Sequence, residues 1–276
     1  MTNQQNGEMM PLIKSNVHTH TTFCDGKDSM DDMVKAAIDI GFDTLGFSFH
    51  SYTAFDPSYC IRDYLAYMKE YGRLKKEYAD RIWLLNGVEL DLYGERPSVC
   101  DYVIGSVHYF KAGERHFPVD CRAPAFVKII NNVFAGDVYA AVELFYREVG
   151  ELADKVAPDV YGHFDLITCS NAEHGLIDEC NLRYRRAALS AVEKLPQGAV
   201  VEVNLGRVFR GSGGMYPSPW LLKELNARGC RFMLSSDAHK CEALGFMFDQ
   251  TCAQLKAFGV KSLVRYKGRG LEEVEL

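Results

Sequence analysis

Short apolar runs alternate along the chain with longer stretches in which apolar positions recur every three or four residues. Residues 12–18 read as a strand. Residues 28–40 then read as a helix, with Met30, Met33, Val34, Ala37 and Ile38 on one face, Asp28 or Ser29 as N-cap and Gly41 stopping it. A strand at 44–50 and a helix at 61–79 follow, then strands at 82–89 and 101–108 and helical stretches at 125–134 and 138–156. A short strand at 160–163 precedes a helix at 182–195, a strand at 199–204, a helix at 219–228, a strand at 230–236 and a helix at 241–258. A last apolar run covers 260–264. This alternation predicts a parallel sheet wrapped in helices. Seven or so units in 276 residues favour a closed, TIM-like α/β barrel over an open doubly wound sheet. No Gly-x-Gly-x-x-Gly follows the first strand and no Gly-Lys-Ser/Thr loop occurs, so a nucleotide-binding open sheet lacks its usual support.

Composition narrows the picture slightly. The chain is 47% hydrophobic and 25% charged, ordinary for a globular protein, and no repeat or linker divides it. Thirty-one Lys and Arg against 37 Asp and Glu leave a net charge of −6, which gives no general attraction to nucleic acid or anionic membrane. The N-terminus lacks a basic segment followed by an apolar run, so no signal peptide is expected, and no apolar stretch reaches the length of a membrane span. Nine scattered cysteines without a Cys-x-x-Cys pair read as reduced thiols, which predicts a cytoplasmic protein.

The histidines carry the chemistry. Six of the eight fall at the C-terminal ends of predicted strands: His18, His20, His50, His108, His163 and His239. Glu89 and Asp237 end strands as well, and Asp25 follows the first. In a barrel those ends meet at one mouth. One histidine after an apolar strand is more often a satisfied rim residue. Six in line, with His-x-His at 18 and 20 projecting from one strand face, point to a metal centre of imidazole and carboxylate ligands.

The segment from His18 to Gly26 (His-Thr-His-Thr-Thr-Phe-Cys-Asp-Gly) resembles the first motif of the polymerase and histidinol phosphatase (PHP) superfamily. The blocks at 101–109, 162–166 and 235–239 resemble its later motifs, in the family's order, across about residues 16–250. The second and fourth blocks, with the Gly245-Phe246 pair, are most similar to the PHP-type histidinol phosphatases. The resemblance implies a distorted (β/α)7 barrel forming a single domain over residues 1–276, with 1–13 as a flexible extension. It also implies three divalent ions, Zn, Fe or Mn. His18 and His20 would hold one with Glu89 and Asp237. Glu89 would bridge to a second, held by His108 and His163, and Asp25, His50 and His239 would hold a third. Asp25 stands where these phosphatases often carry a histidine nearby; a carboxylate is a harder ligand and tilts that site toward Mn or Fe.

The expected reaction is attack by a metal-bound hydroxide on a small phosphomonoester, with no protein nucleophile and no phosphoenzyme. The resemblance implies L-histidinol phosphate as the substrate and inorganic phosphate as a product. Arg207 and Arg210, after the strand at 199–204, are expected to bind phosphate. His116 could reach the substrate, although a solvated loop histidine is the plainer reading. Asp120 could meet a substrate ammonium, and Asp165 could orient a ligand or cap a helix. His174 reads as surface, and residues 211–214 as a mobile loop. Competing readings are a nucleotide or other phosphoester as substrate, a non-catalytic metal-binding module, and a metal-dependent amidohydrolase. The last expects a lysine at a strand end, and none is there.

Overall fold

The structure, a computed structural model, describes residues 12–171 and 175–276. The first four strands are β1 (Ser15–Asn16), β2 (Thr44–His50), β3 (Trp83–Asp91) and β4 (Tyr102–Ser106). A hairpin of β5 (Tyr109–Ala112) and β6 (Arg115–Pro118) follows, then β7 (Val160–Tyr161), β8 (Val200–Asn204) and β9 (Arg231–Ser235). A second hairpin, β10 (Ser262–Lys267) and β11 (Gly270–Glu275), ends the chain. Seven strands pair in parallel in the order β1-β2-β3-β4-β7-β8-β9. Just past β1 and β9 a parallel bridge joins Thr19 to Ala238. His20 N donates to Ala238 O at 2.8 Å, and Ala238 N donates to His18 O at 3.0 Å. The sheet is thereby a nearly closed barrel with helices around it, as the alternation predicts.

The helices begin where the sequence supplies caps. Ser29 Oγ accepts from Asp32 N, Asp63 from Ala66 N and Asn181 from Arg183 N. Their apolar faces pack on the outside of the sheet: Met33, Val34 and Ala37 from the first helix, Tyr67 and Leu74 from the second, all buried.

Inside the barrel, the end away from the strand C-termini is plugged. Tyr102 is buried there, its hydroxyl donating to Val17 O. It lies so close to Gly46 and Gly87 that a Cβ at Gly46 would sit 2.3 Å from its hydroxyl and one at Gly87 2.0 Å from its ring, so only glycine fits. Tyr266 of β10 packs 5.3 Å from the same ring and seals that end. With the interior filled by Tyr102, Leu85, Ile104 and Met233, polar side chains are left to the opposite mouth.

Several expectations need correction. The first strand is only two residues long, because residues 17–20 leave the ladder to make the closing bridge. The helix expected at 241–258 is a 3-10 turn at Cys241–Ala243 followed by Phe248–Ala257, interrupted where Met247 takes φ +55°. The stretch 138–156 divides into Val138–Val149 and Leu152–Lys155. Neither hairpin was anticipated. Among the described residues no single helix is long and apolar enough to cross a membrane. All nine cysteines are free thiols.

Candidate metal centre

The closing bridge places the first candidate ligands. Thr19 and Ala238 are the paired residues, so by strand alternation their neighbours His18, His20, Asp237 and His239 share the inner side. Asp237 takes φ +47°, a left-handed conformation that aspartate tolerates better than most residues. His50 ends β2 directly opposite Glu89 of β3. His108 and His163 follow β4 and β7. Asp25 arrives on a loop folded tightly against His20: a Cβ on Gly26 would lie 2.4 Å from Thr21 N, so glycine permits the approach. Lys27 N fastens that loop by donating to His239 O at 2.8 Å.

Glu89 is the hub. Its Oε2 lies 3.0 Å from His50 Nδ1, 3.2 Å from His18 Nε2 and 3.4 Å from His20 Nε2. Its Oε1 lies 2.9 Å from His163 Nε2 and 3.1 Å from His108 Nε2, and accepts from Ser106 Oγ at 2.8 Å. Asp237 Oδ1 is 3.2 Å from His20 Nε2 and 3.5 Å from His18 Nε2. Asp25 reaches His239 Nε2 at 3.1 Å and His50 Nε2 at 3.5 Å. Donor atoms about 2.0–2.1 Å from a tetrahedral ion stand roughly 3.3 Å from one another, the spacing seen here. All nine expected residues fall into overlapping groups of candidate ligands.

The polar atoms themselves test whether a cation fits. His18 Nε2, His20 Nε2, Asp25 Oδ1, His50 Nδ1 and Glu89 Oε2 are buried without a hydrogen-bond partner, though they face one another. Such orphans cost folding free energy unless something satisfies them. Burial opposes ionisation of Glu89, but His18, His108 and His50 outweigh it and hold the carboxyl well below its ordinary range. Asp237 is held down likewise, against burial, chiefly by His18 and His20. Burial and the neighbouring His50 and His239 push His20 down to about 3, leaving a neutral imidazole. The same carboxylates raise His18, His50 and His108 against their burial. Divalent ions would supply the positive charge that these converging carboxylates draw onto the imidazoles, and would meet the buried unpaired atoms.

Two carboxylates that sequence reasoning missed support the ligands from behind. Glu202, buried in the middle of β8, accepts from His18 Nδ1 and Ser235 Oγ on one oxygen. Its other oxygen accepts from His163 N at 2.8 Å and Asn204 Nδ2 at 3.0 Å. With Nδ1–H committed to Glu202, His18 presents Nε2 to the centre. Asp91 accepts from His108 N at 2.9 Å and lies 3.4 Å from His108 Nδ1. A lone acid inside Val200-Val201-Glu202-Val203 was the available signal, because an unpaired charge does not survive in such a strand.

Above the centre opens a cavity of about 600 Å³. Arg210, Arg122, Lys27 and Lys240 border it, as do Asp120, Tyr59 and Tyr109. Arg210 stands with its Nη1 near Asp237: both contact the space beside Gly206, each 3.1 Å from where its Cβ would be. Arg207 is not part of the lining, contrary to expectation. Its Nε donates to Ser212 O at 3.0 Å, its Nη1 to Thr168 Oγ1 at 3.1 Å, and its guanidinium lies over Tyr216. Gly213 folds onto the same guanidinium, so residues 211–214 wrap an arginine and do not hang free. His116 is also absent from the lining: it stacks 4.0 Å from Phe55 and packs edge-on to Tyr93. Asp165 stands at the N-cap of the 3-10 turn Leu166–Thr168 without a side-chain cap bond; its carboxylate instead accepts from Ser218 N at 2.7 Å. His174 lies outside the described residues.

The model of the PHP domain family matches residues 16–205. The chain belongs to the PHP domain family. Among its relatives, the histidinol-phosphatase of Bacillus subtilis is 24% identical over 277 residues, covering 86% of this chain and 98% of its own. A Schizosaccharomyces pombe protein named "probable histidinol-phosphatase" is 25% identical over 274 residues, covering 89% and 87%. The barrel also superposes on the histidinol phosphate phosphatase of Lactococcus lactis, solved with zinc, L-histidinol and phosphate. The TM-score is 0.72 at 18% identity, over 94% of this chain and 98% of that one. That likeness establishes the fold.

Proposed function

We propose that this PHP protein is a metal-dependent phosphatase that converts L-histidinol phosphate to L-histidinol and inorganic phosphate, using three divalent ions. The observation that carries the chemistry is Glu89, whose two oxygens face five imidazoles at the barrel mouth. The substrate is taken from the names of the relatives. His18, His20, Glu89 and Asp237 would hold one ion, Glu89, His108 and His163 a second, and Asp25, His50 and His239 a third, as Zn, Fe or Mn. When bound, such ions neutralise phosphate oxygens and lower the pKa of water toward about 7.

The chain's own residues do the rest. Arg210, Lys27, Lys240 and Arg122 border the cavity and supply positive charge for phosphate in a protein of net charge −6. Asp120 provides a carboxylate for the substrate ammonium. No side chain is offered as nucleophile: burial pushes Cys121 up to about 11 and Cys169 up to about 12, which leaves both thiols protonated near neutral pH. Nine free cysteines accord with a cytoplasmic reaction. The test is phosphate release from L-histidinol phosphate beside a panel of nucleotides and other mono- and diesters, on protein of assayed metal content. Faster turnover of a nucleotide or diester would replace this substrate with that class.

A further inference from the structure

We infer that Tyr59 and Tyr109 form an aromatic wall that selects phosphomonoesters whose alcohol carries an aromatic ring, such as the imidazole of L-histidinol phosphate. The inference rests on the phosphatase reading above and assigns the part of the cavity that reads the leaving alcohol. Both rings line the cavity. Their planes are within 21° of parallel, with centroids 6.1 Å apart. Tyr59 also packs edge-on against His50 at 4.8 Å and at 6.2 Å from His108. The wall therefore starts one ring away from the metal ligands, within reach of an alcohol whose phosphate sits on the centre.

Topology separates this wall from most of the cationic groups. Tyr59 and Tyr109 follow β2 and β4, whereas Arg210, Lys240 and Lys27 follow β8, β9 and β1. In the closing order of the sheet, β8, β9 and β1 are contiguous, so these cations share one half of the rim and the tyrosines the other. A substrate with a phosphate at one end and an uncharged ring at the other matches that division.

The wall is also held still. Tyr109 donates its hydroxyl to Asp56 Oδ2 at 2.6 Å, and Asp56 Oδ1 accepts from Ser58 N and Oγ. Phe55 packs edge-on to Tyr109 at 4.8 Å and lies flat on His116, 9° from parallel. The loop after β2 and the β5–β6 hairpin thus close on each other as a clasp, with His116 as a wedge in it. Rings fixed in advance lose little freedom when a ligand stacks on them.

The experiment compares kcat/KM for L-histidinol phosphate with that for O-phosphoethanolamine, which keeps phosphate and ammonium but has no ring. In Tyr59→Leu the ratio of the two should fall about tenfold, chiefly through KM, and Tyr59→Phe should restore it. An unmoved ratio, or equal loss on both substrates, would overturn the wall. Should the wild type prefer another aromatic phosphomonoester and Tyr59→Leu abolish that preference, the wall stands and the histidinol reading fails. Calorimetric binding of L-histidinol supplies the same comparison without turnover. Its dissociation constant should rise about tenfold in Tyr59→Leu, and an unchanged constant would overturn the wall.

Discussion

Glu202→Gln isolates the support behind the metal centre. The carboxylate accepts four hydrogen bonds, two on each oxygen, from His18 Nδ1, Ser235 Oγ, His163 N and Asn204 Nδ2. Glutamine keeps the shape but replaces one oxygen with an NH2 group, so in either orientation two donors face a donor. Each unsatisfied buried donor costs about 1–3 kcal/mol, hence roughly 2–6 kcal/mol before relaxation. Only the part acting through His18 and His163 reaches the ions. Loss of such a supporting partner lowers metal affinity or activity about 10–100-fold, or about 1.4–2.7 kcal/mol. The assay is competition for zinc against a chromophoric chelator, beside thermal unfolding of the metal-free protein. Zinc affinity and phosphatase activity should fall together, by more than the metal-free stability change explains. Wild-type affinity in a folded Glu202→Gln protein would refute the idea that Glu202 sets the tautomer of His18.

Other outcomes follow from the same geometry. Arg210→Ala should raise KM for the phosphomonoester about tenfold with metal content unchanged; unchanged kinetics would remove Arg210 from phosphate binding. Arg207→Ala should instead act on the loop at 211–214, lowering the unfolding temperature in differential scanning calorimetry while raising KM less than Arg210→Ala does. Glu89→Ala should lose at least two ions per chain by elemental analysis, because its two oxygens face different imidazole sets. Burial raises Glu148 to about 7, while Lys111 N and Tyr93 OH donate to its Oε1. A carboxyl raised by folding loses stability as pH rises from its unfolded value near 4.5 through 7. Glu148→Gln should therefore become more stable than wild type across that window, by up to about 3 kcal/mol at roughly 1.4 kcal/mol per pKa unit. Parallel pH–stability curves would contradict this.

The barrel was legible because its strands are short, apolar and separated by amphipathic helices with clear caps. The convergence of the nine candidate ligands was legible because each ends or follows such a strand. What failed is equally physical. Glu202 lies within a strand, and its role depends on β8 lying next to β7 and beside His18, a long-range fact. Arg207 and Arg210 are three residues apart in one short helical turn. Sequence placed both at the mouth, but only the coordinates show that one holds a loop and the other faces the cavity. The β5–β6 and β10–β11 hairpins escaped notice because they turn at Gly113 and Gly268, both at positive φ, between runs with little alternation. The break at Met247 is a left-handed residue that helical periodicity does not anticipate.

The central claim is that these nine side chains hold the ions that hydrolyse the ester. Phosphate release from L-histidinol phosphate, titrated as zinc or manganese is returned to chelator-stripped protein, tests it most directly. Activity should be absent at the start and climb to a plateau as about three equivalents per chain bind. Full turnover by the stripped protein would contradict it.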